Sequence, residues 1–274
     1  AHAALVATSS QGRDRDAALA AARSLRNAGM GIGALLATAA LTGGTHALRA
    51  LAACTGLSYL LSAALAWSVR VRANPRTMSA RPGGSEPRMR AAAPPRMRLL
   101  LAANVIYVFC LNVPEVALPL VLVTQLHAPP EWAAGVFVAN TVLVVALQVP
   151  VTVWMSRFSR RTALVISGIV LSVSYLGFLA GIELGHGGAA PALFGVSLLC
   201  TIGEIIYAGS STALVAANAP PEMLGRALAR FQLSTGFGLA VSPAVITALA
   251  ACGPSALWAS LAAATLLSAA AVSR

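Results

Sequence analysis

The stretch WAAGVFVANTVLVVALQVPVTVWMSRFSRR, Trp132–Arg161, decides how this chain folds. From Trp132 to Met155 it carries no charged side chain, and the next six residues then bring Arg157, Arg160 and Arg161. A helix rises ~1.5 Å per residue, so roughly 20 apolar residues cross the ~30 Å hydrocarbon layer of a bilayer. The run is long enough. It lacks the period-two alternation of a barrel strand, so it reads as a membrane-spanning helix that ends at an arginine-bearing loop.

The same unit recurs along the chain. Further apolar segments lie at Leu99–Gln125, Ala163–Gly181, Ala192–Ala217, Ala227–Ala251 and Ala256–Val272, with two more near Ala18–Leu41 and Ala47–Val69. Arginine falls on alternate connections: Gly12–Arg26, Arg70–Arg98, Ser156–Arg161 and Glu222–Arg230 carry it. The connections near Gly43–His46, His127–Glu131, Glu183–Gly188 and Cys252–Pro254 do not, and Arg49 is the one exception. Because arginine is retained on the cytoplasmic side, the pattern puts both chain ends and the Arg70–Arg98 stretch inside the cell, in an inner, cytoplasmic membrane crossed several times. That stretch is rich in Arg, Pro and Gly and has too little apolar content to bury a core. The expected organisation is therefore residues 1–70 with two spans, a linker at 71–98, and a six-span unit at 99–274. The fold class is all-α, a polytopic membrane helical bundle of about eight helices.

Composition agrees. Mean hydropathy is +0.78 and charged residues make up 10% of the chain, against roughly a quarter in soluble domains. The net charge of +11 sits in loops beside apolar spans, where it orients the protein and meets anionic lipid, so no nucleic-acid partner is implied. All 19 basic residues are arginine. Without lysine there is no phosphate-loop motif for an ATP-driven engine. The cysteines Cys54, Cys110, Cys200 and Cys252 form no CxxC pair and read as packing residues. His2, His46, His127 and His186 show no metal-ligand spacing, so no metal and no cofactor are expected. HExxH and GxSxG are absent, and the only aspartates, Asp14 and Asp16, lie in an arginine-bearing loop, which argues against a membrane-embedded enzyme.

Two carboxylates lie deep inside spans, Glu115 and Glu204. Inserting either at a helix centre costs about 3 kcal/mol, and such residues are by default functional. Glu204 shares a helical stripe with Thr201, Tyr207 and Ser211. Glu115 has Asn112 at i−3 and Asn104 further down the same face, with Pro114 and Pro119 beside it. Carbonyls freed by those prolines need partners in neighbouring helices or a wet cavity, which favours a face lining a translocation path. One reading has these carboxylates bind protons or a cationic substrate group; the other has them hydrogen-bond between helices. Asn140 with Gln148, and Gln232 with Thr235, are further cavity-lining candidates, and helix-to-helix hydrogen bonding explains them equally well. Arg226, beside Glu222 and Arg230, reads as an inside anchor or as part of a salt-bridge gate. Trp67, Trp132, Trp154 and Trp258 fall near segment ends, as an interfacial belt requires.

Three motifs carry a resemblance. The first is Gly203-Glu204, followed by Ala219-Pro220-Pro221-Glu222-Met223-Leu224-Gly225-Arg226, then Ser234-Thr235-Gly236-Phe237-Gly238 and Ser242-Pro243. The second is Ser156-Arg157-Phe158-Ser159-Arg160-Arg161, with Ser156 and Ser159 where the pattern has Asp and Gly. The third is Gly29-Met30-Gly31-Ile32-Gly33-Ala34-Leu35-Leu36-Ala37, with Ala34 for proline and Ala37 for glycine. Together they resemble the major facilitator superfamily, in particular its bacterial drug-exporter-like members, over spans five to twelve of a twelve-span plan.

The resemblance implies a secondary active transporter that moves a small molecule by alternating access, with proton-coupled export, antiport and efflux as the preferred direction. Its partners are then the small-molecule substrate, protons and the lipid bilayer. Binding would fall to Glu115, Asn112, Glu204, Asn140, Gln148 and Gln232, and a cytoplasmic gate to Arg157, Arg160, Arg161, Glu222 and Arg226. Nutrient uptake on the same fold is the alternative, as is a non-transporting remnant in which four leading spans are missing.

Overall fold

A computed structural model describes residues 12–68, 95–219 and 223–273. Among them every regular element is helical: α1 (Gly12–Thr42), α2 (Gly44–Ser68), α3 (Pro95–Tyr107), α4 (Leu118–Leu120), α5 (Pro130–Met155), α6 (Arg160–Ile182), α7 (Gly185–Asn218), α8 (Leu224–Ala251) and α9 (Pro254–Ser273). Seven helical stretches are long and apolar enough to cross a membrane, α3 and α4 forming parts of one span, Met97–Gln125. The fold is an all-α, polytopic membrane bundle. Of the eight expected spans, α1 is not among those seven. It is one continuous helix, so the stretch Gly12–Arg26, expected as a loop, is helical instead, and its charged side chains dilute the apolarity of an otherwise sufficient length.

Contacts divide the chain into one unit of residues 1–28 with 93–274 and a second of residues 29–92. In the second unit α2 buries almost nothing, and its hydroxyls turn back on their own helix: Thr55 donates to the Leu51 carbonyl at 2.8 Å and Ser62 to Ser58 at 2.8 Å. Self-satisfied hydroxyls let such a helix face lipid without stray donors. The linker expected at 71–98 falls largely outside the described residues.

The first unit is organised on α6, α7 and α9. Its core includes Tyr175, Phe178, Leu193, Leu257 and Trp258. Trp258 was expected at the interface. It is instead fully buried, with ring centroids 4.6 Å from Phe178 and 6.2 Å from Tyr175. Small residues permit the close approach of helices: a Cβ at Gly203 would sit 2.8 Å from Leu171 Cγ, and one at Gly168 would meet Tyr107 and Ala269.

Prolines break the span that starts with α3. Pro114 and Pro119 lack the amide donor and crowd the preceding turn, and the helix responds by changing pitch. Val108–Asn112 tightens to a 3-10 turn, and Val113–Ala117 and Val121–Gln125 widen to π turns. The N–H of Leu118 reaches back to the Val113 carbonyl in place of an i−4 partner.

The two kinds of connection are also built differently. Each arginine-free connection contains a residue in the left-handed region, namely Gly44, His127, Gly185 or Gly253, which reverses the chain within a few residues. The arginine-bearing Ser156–Arg161 connection uses extended Ser159, whose Oγ accepts from the Thr162 N–H at 3.1 Å. Ser159 thus stands in place of the family pattern's glycine as the N-cap of α6.

Candidate functional site

Glu204 occupies the middle of α7, and it is buried. Three helices meet at its carboxylate. Arg23 of α1 donates from an Nη to Glu204 Oε1 at 3.1 Å, the salt bridge at the centre of the site. Asn140 of α5 donates to Oε2 at 2.9 Å and lies within hydrogen-bond distance of Thr201 Oγ1 at 3.1 Å. Thr201 in turn donates to the Ser197 carbonyl at 2.9 Å, so the carboxylate is oriented from its own helix as well. Ser24, next to Arg23, donates to the Val145 carbonyl of α5 at 2.7 Å and fixes the register of α1.

A carboxylate taken out of water without a partner costs several kcal/mol, so its neutralisation by Arg23 is what makes this position tenable. Pro114, Leu118, Asn140, Cys200 and Thr201, among others, close around the same carboxylate and leave no cavity large enough for a water molecule. The spare valence lies with the arginine: its Nε is buried without an acceptor.

The other candidates fall elsewhere. Gln148 lies on the same junction, one residue along α7: its Nε2 donates to the Ile205 carbonyl at 3.3 Å and to Thr152 Oγ1 at 3.1 Å, while its Oε1 is buried without a donor. Asn112 donates to Ser242 Oγ and, at 3.4 Å, to the Leu239 carbonyl, joining the broken span to α8. Glu115 and Gln232 are exposed side chains. Of the gate residues, Arg157 and Arg226 are exposed, Arg160 and Arg161 are half-buried, and Glu222 lies outside the described residues.

A second polar cluster joins α3, α7 and α8. Tyr207 donates to Asn104 Oδ1 at 2.7 Å, and Asn104 Nδ2 reaches Ser234 at 2.9 Å and Thr235 at 3.0 Å. Tyr107 stacks on Tyr207 with centroids 5.4 Å apart and donates to the Leu164 carbonyl at 2.7 Å. Thr235 was paired with Gln232 on sequence; its partner is Asn104.

Sequence reading missed Arg23. The available signal was that Arg23 and Arg26 fall inside the apolar segment Ala18–Leu41, while Glu204 in another segment lacked a counter-ion. Both arginines read instead as part of the arginine-bearing connection Gly12–Arg26.

The family model described as Major Facilitator Superfamily matches residues 100–274, more than half of the chain. No curated protein and no solved structure matches it. The match begins in α3 and runs through α9, taking in the broken proline span and, of the helices that meet at Glu204, α5 and α7, and on that ground the chain belongs to the major facilitator superfamily.

Proposed function

We propose that this protein exports a small amphipathic molecule by alternating access, driven by a proton gradient, with Glu204 as the membrane-buried carboxylate at the centre of the cycle. The superfamily is one of secondary transporters, so the work done is movement of a small molecule across a bilayer and no covalent step is required. The observation that carries the reading is the position of Glu204: buried at mid-helix and shared between an arginine and an asparagine from two other helices. Intramembrane carboxylates in such surroundings mark ion and substrate pathways.

In this reading Glu115, on the proline-widened turn, and Gln232 line the path from the exposed side, while Asn140 and Gln148 hold the α5–α7 wall and Asn112 holds the broken span on α8. The arginine-bearing connections face the cytoplasm, in the inner membrane, with Arg157, Arg160, Arg161 and Arg226 around the inner gate and Glu222 as their acidic partner. Export rather than uptake rests on the resemblance to drug-exporter-like members.

The test is gradient-driven efflux from proteoliposomes, comparing the wild type with Glu204→Gln and Glu115→Gln. Loss of gradient dependence in Glu204→Gln is expected. If both variants pump as the wild type does under the same gradient, the assignment of coupling to these carboxylates is wrong.

A further inference from the structure

The seam between α1 and the proline-broken span is closed at one level and open at the next. At the closed level Arg23 meets Glu204 at 3.1 Å, and Pro114 lies against the same carboxylate. Arg26 follows Arg23 by three residues on the same face of α1, and Glu115 follows Pro114 on the π turn. These two flank the closed pair. Each lies within electrostatic reach of the other and of Glu204, and Arg26 also of Arg23. Both side chains are exposed, and they form no ion pair with one another.

Opposite charges at membrane depth gain more by meeting than by standing apart, because little water is there to screen them. Here both backbones are pinned. Ser24 donates to the Val145 carbonyl at 2.7 Å and Arg23 to Glu204 at 3.1 Å, which sets the position of α1. Asn112 donates to Ser242 Oγ, and the Leu118 N–H to the Val113 carbonyl, which sets the turn that carries Glu115. Neither element slides to close the gap without giving up one of these bonds.

The geometry points to a binding site for a zwitterion at this gap: the Arg26 guanidinium takes a carboxylate and the Glu115 carboxylate takes an ammonium of the same molecule. The inference rests on the transporter reading above and adds the class of ligand. Charge supports it. Arg23, Arg26, Glu115 and Glu204 sum to zero, so a guest of zero net charge leaves the cluster balanced. A lone cation or a lone anion meets one of the two open charges and leaves the other unmet.

Three phenyl-bearing probes of similar size test the site: phenylalanine with both charges, phenethylamine as the cation alone and hydrocinnamate as the anion alone. A second zwitterion, β-homophenylalanine, sets its charges one carbon further apart. Dissociation constants come from the ligand dependence of the melting midpoint of the purified full chain in detergent. The better of the two zwitterions is expected to bind about ten-fold more tightly than either single ion, as for one added hydrogen bond to a charged group. Glu115→Gln should erase the preference over hydrocinnamate and keep that over phenethylamine. Arg26→Gln should do the converse.

The comparison of probes on the wild-type chain needs no variant. Single ions bound as tightly as both zwitterions, or a preference over both single ions that survives Arg26→Gln and Glu115→Gln, would each overturn the proposal. Binding is read without a gradient. A chain that shows no such preference, yet loses gradient-driven efflux in Glu204→Gln, keeps the transport reading and loses only the ligand class.

Discussion

Replacing Gly168 by alanine tests whether α6 is wedged between α3 and α9 as described. The added Cβ would lie 2.5 Å from Tyr107 Oη and 2.7 Å from Ala269 Cβ, against a carbon–carbon optimum of about 3.5–4.0 Å. Neither neighbour yields easily. Tyr107 is buried, stacked on Tyr207 and bonded to the Leu164 carbonyl at 2.7 Å, and Ala269 is a backbone-fixed methyl on a packed helix. Overpacking costs about 1–3 kcal/mol, and two rigid contacts place this site at the upper end. Alanine returns about 1 kcal/mol of helix propensity over glycine. The net loss is about 2 kcal/mol, on the order of 30-fold in the unfolded population. The native cysteines provide the assay: Cys110 and Cys200 are buried while Cys54 and Cys252 are exposed. In a Cys54→Ser/Cys252→Ser background, a thiol-reactive dye reports only unfolding, and its midpoint should fall by several degrees in Gly168→Ala. Adding Ala269→Gly should recover part of the loss by removing one of the two contacts. A midpoint at or above the parent, or no recovery from Ala269→Gly, would refute this packing.

Tyr207→Phe leaves Asn104 Oδ1 buried without its donor and should cost about 1–3 kcal/mol; because the two side chains act as one network, Asn104→Ala added to it should cost less than Asn104→Ala alone, as a melting-curve double-mutant cycle would read. Trp258→Ala removes the ring packed on Phe178 and Tyr175 and should destabilise by about 3–5 kcal/mol, whereas a true interfacial tryptophan would show under about 1 kcal/mol. Cys252, exposed at an arginine-free turn, should react with a membrane-impermeant maleimide in intact cells; labelling only after permeabilisation would reverse the proposed orientation.

Much of the site was legible residue by residue and little of it in combination. The helical stripe around Glu204 predicted Thr201 as its neighbour, and Thr201 does share Asn140 with it. Asn140 and Gln148 were read as one polar face, and both reach α7, but at adjacent residues and with different partners: the carboxylate for one, a backbone carbonyl for the other. Asn104 and Asn112 lie on the same face of their span as expected, yet both turn to α8, where Ser234 and Ser242 receive them. A helical wheel gives the angle of a side chain around its own axis and is silent on which neighbour that angle meets.

What the one-dimensional record decided is the solvent and the class. Apolar runs of spanning length and prolines that must change a helix's pitch are local quantities, and both reappear in the helices described; arginine on alternate connections holds for Ser156–Arg161, whereas Gly12–Arg26 is helical. What the tertiary structure decided is who neutralises whom. Arg23 and Glu204 are 181 residues apart, and their meeting depends on the rotation and axial register of α1 against α7. Those variables are set by packing between helices, through contacts such as Ser24 on Val145, and no property of either segment alone contains them.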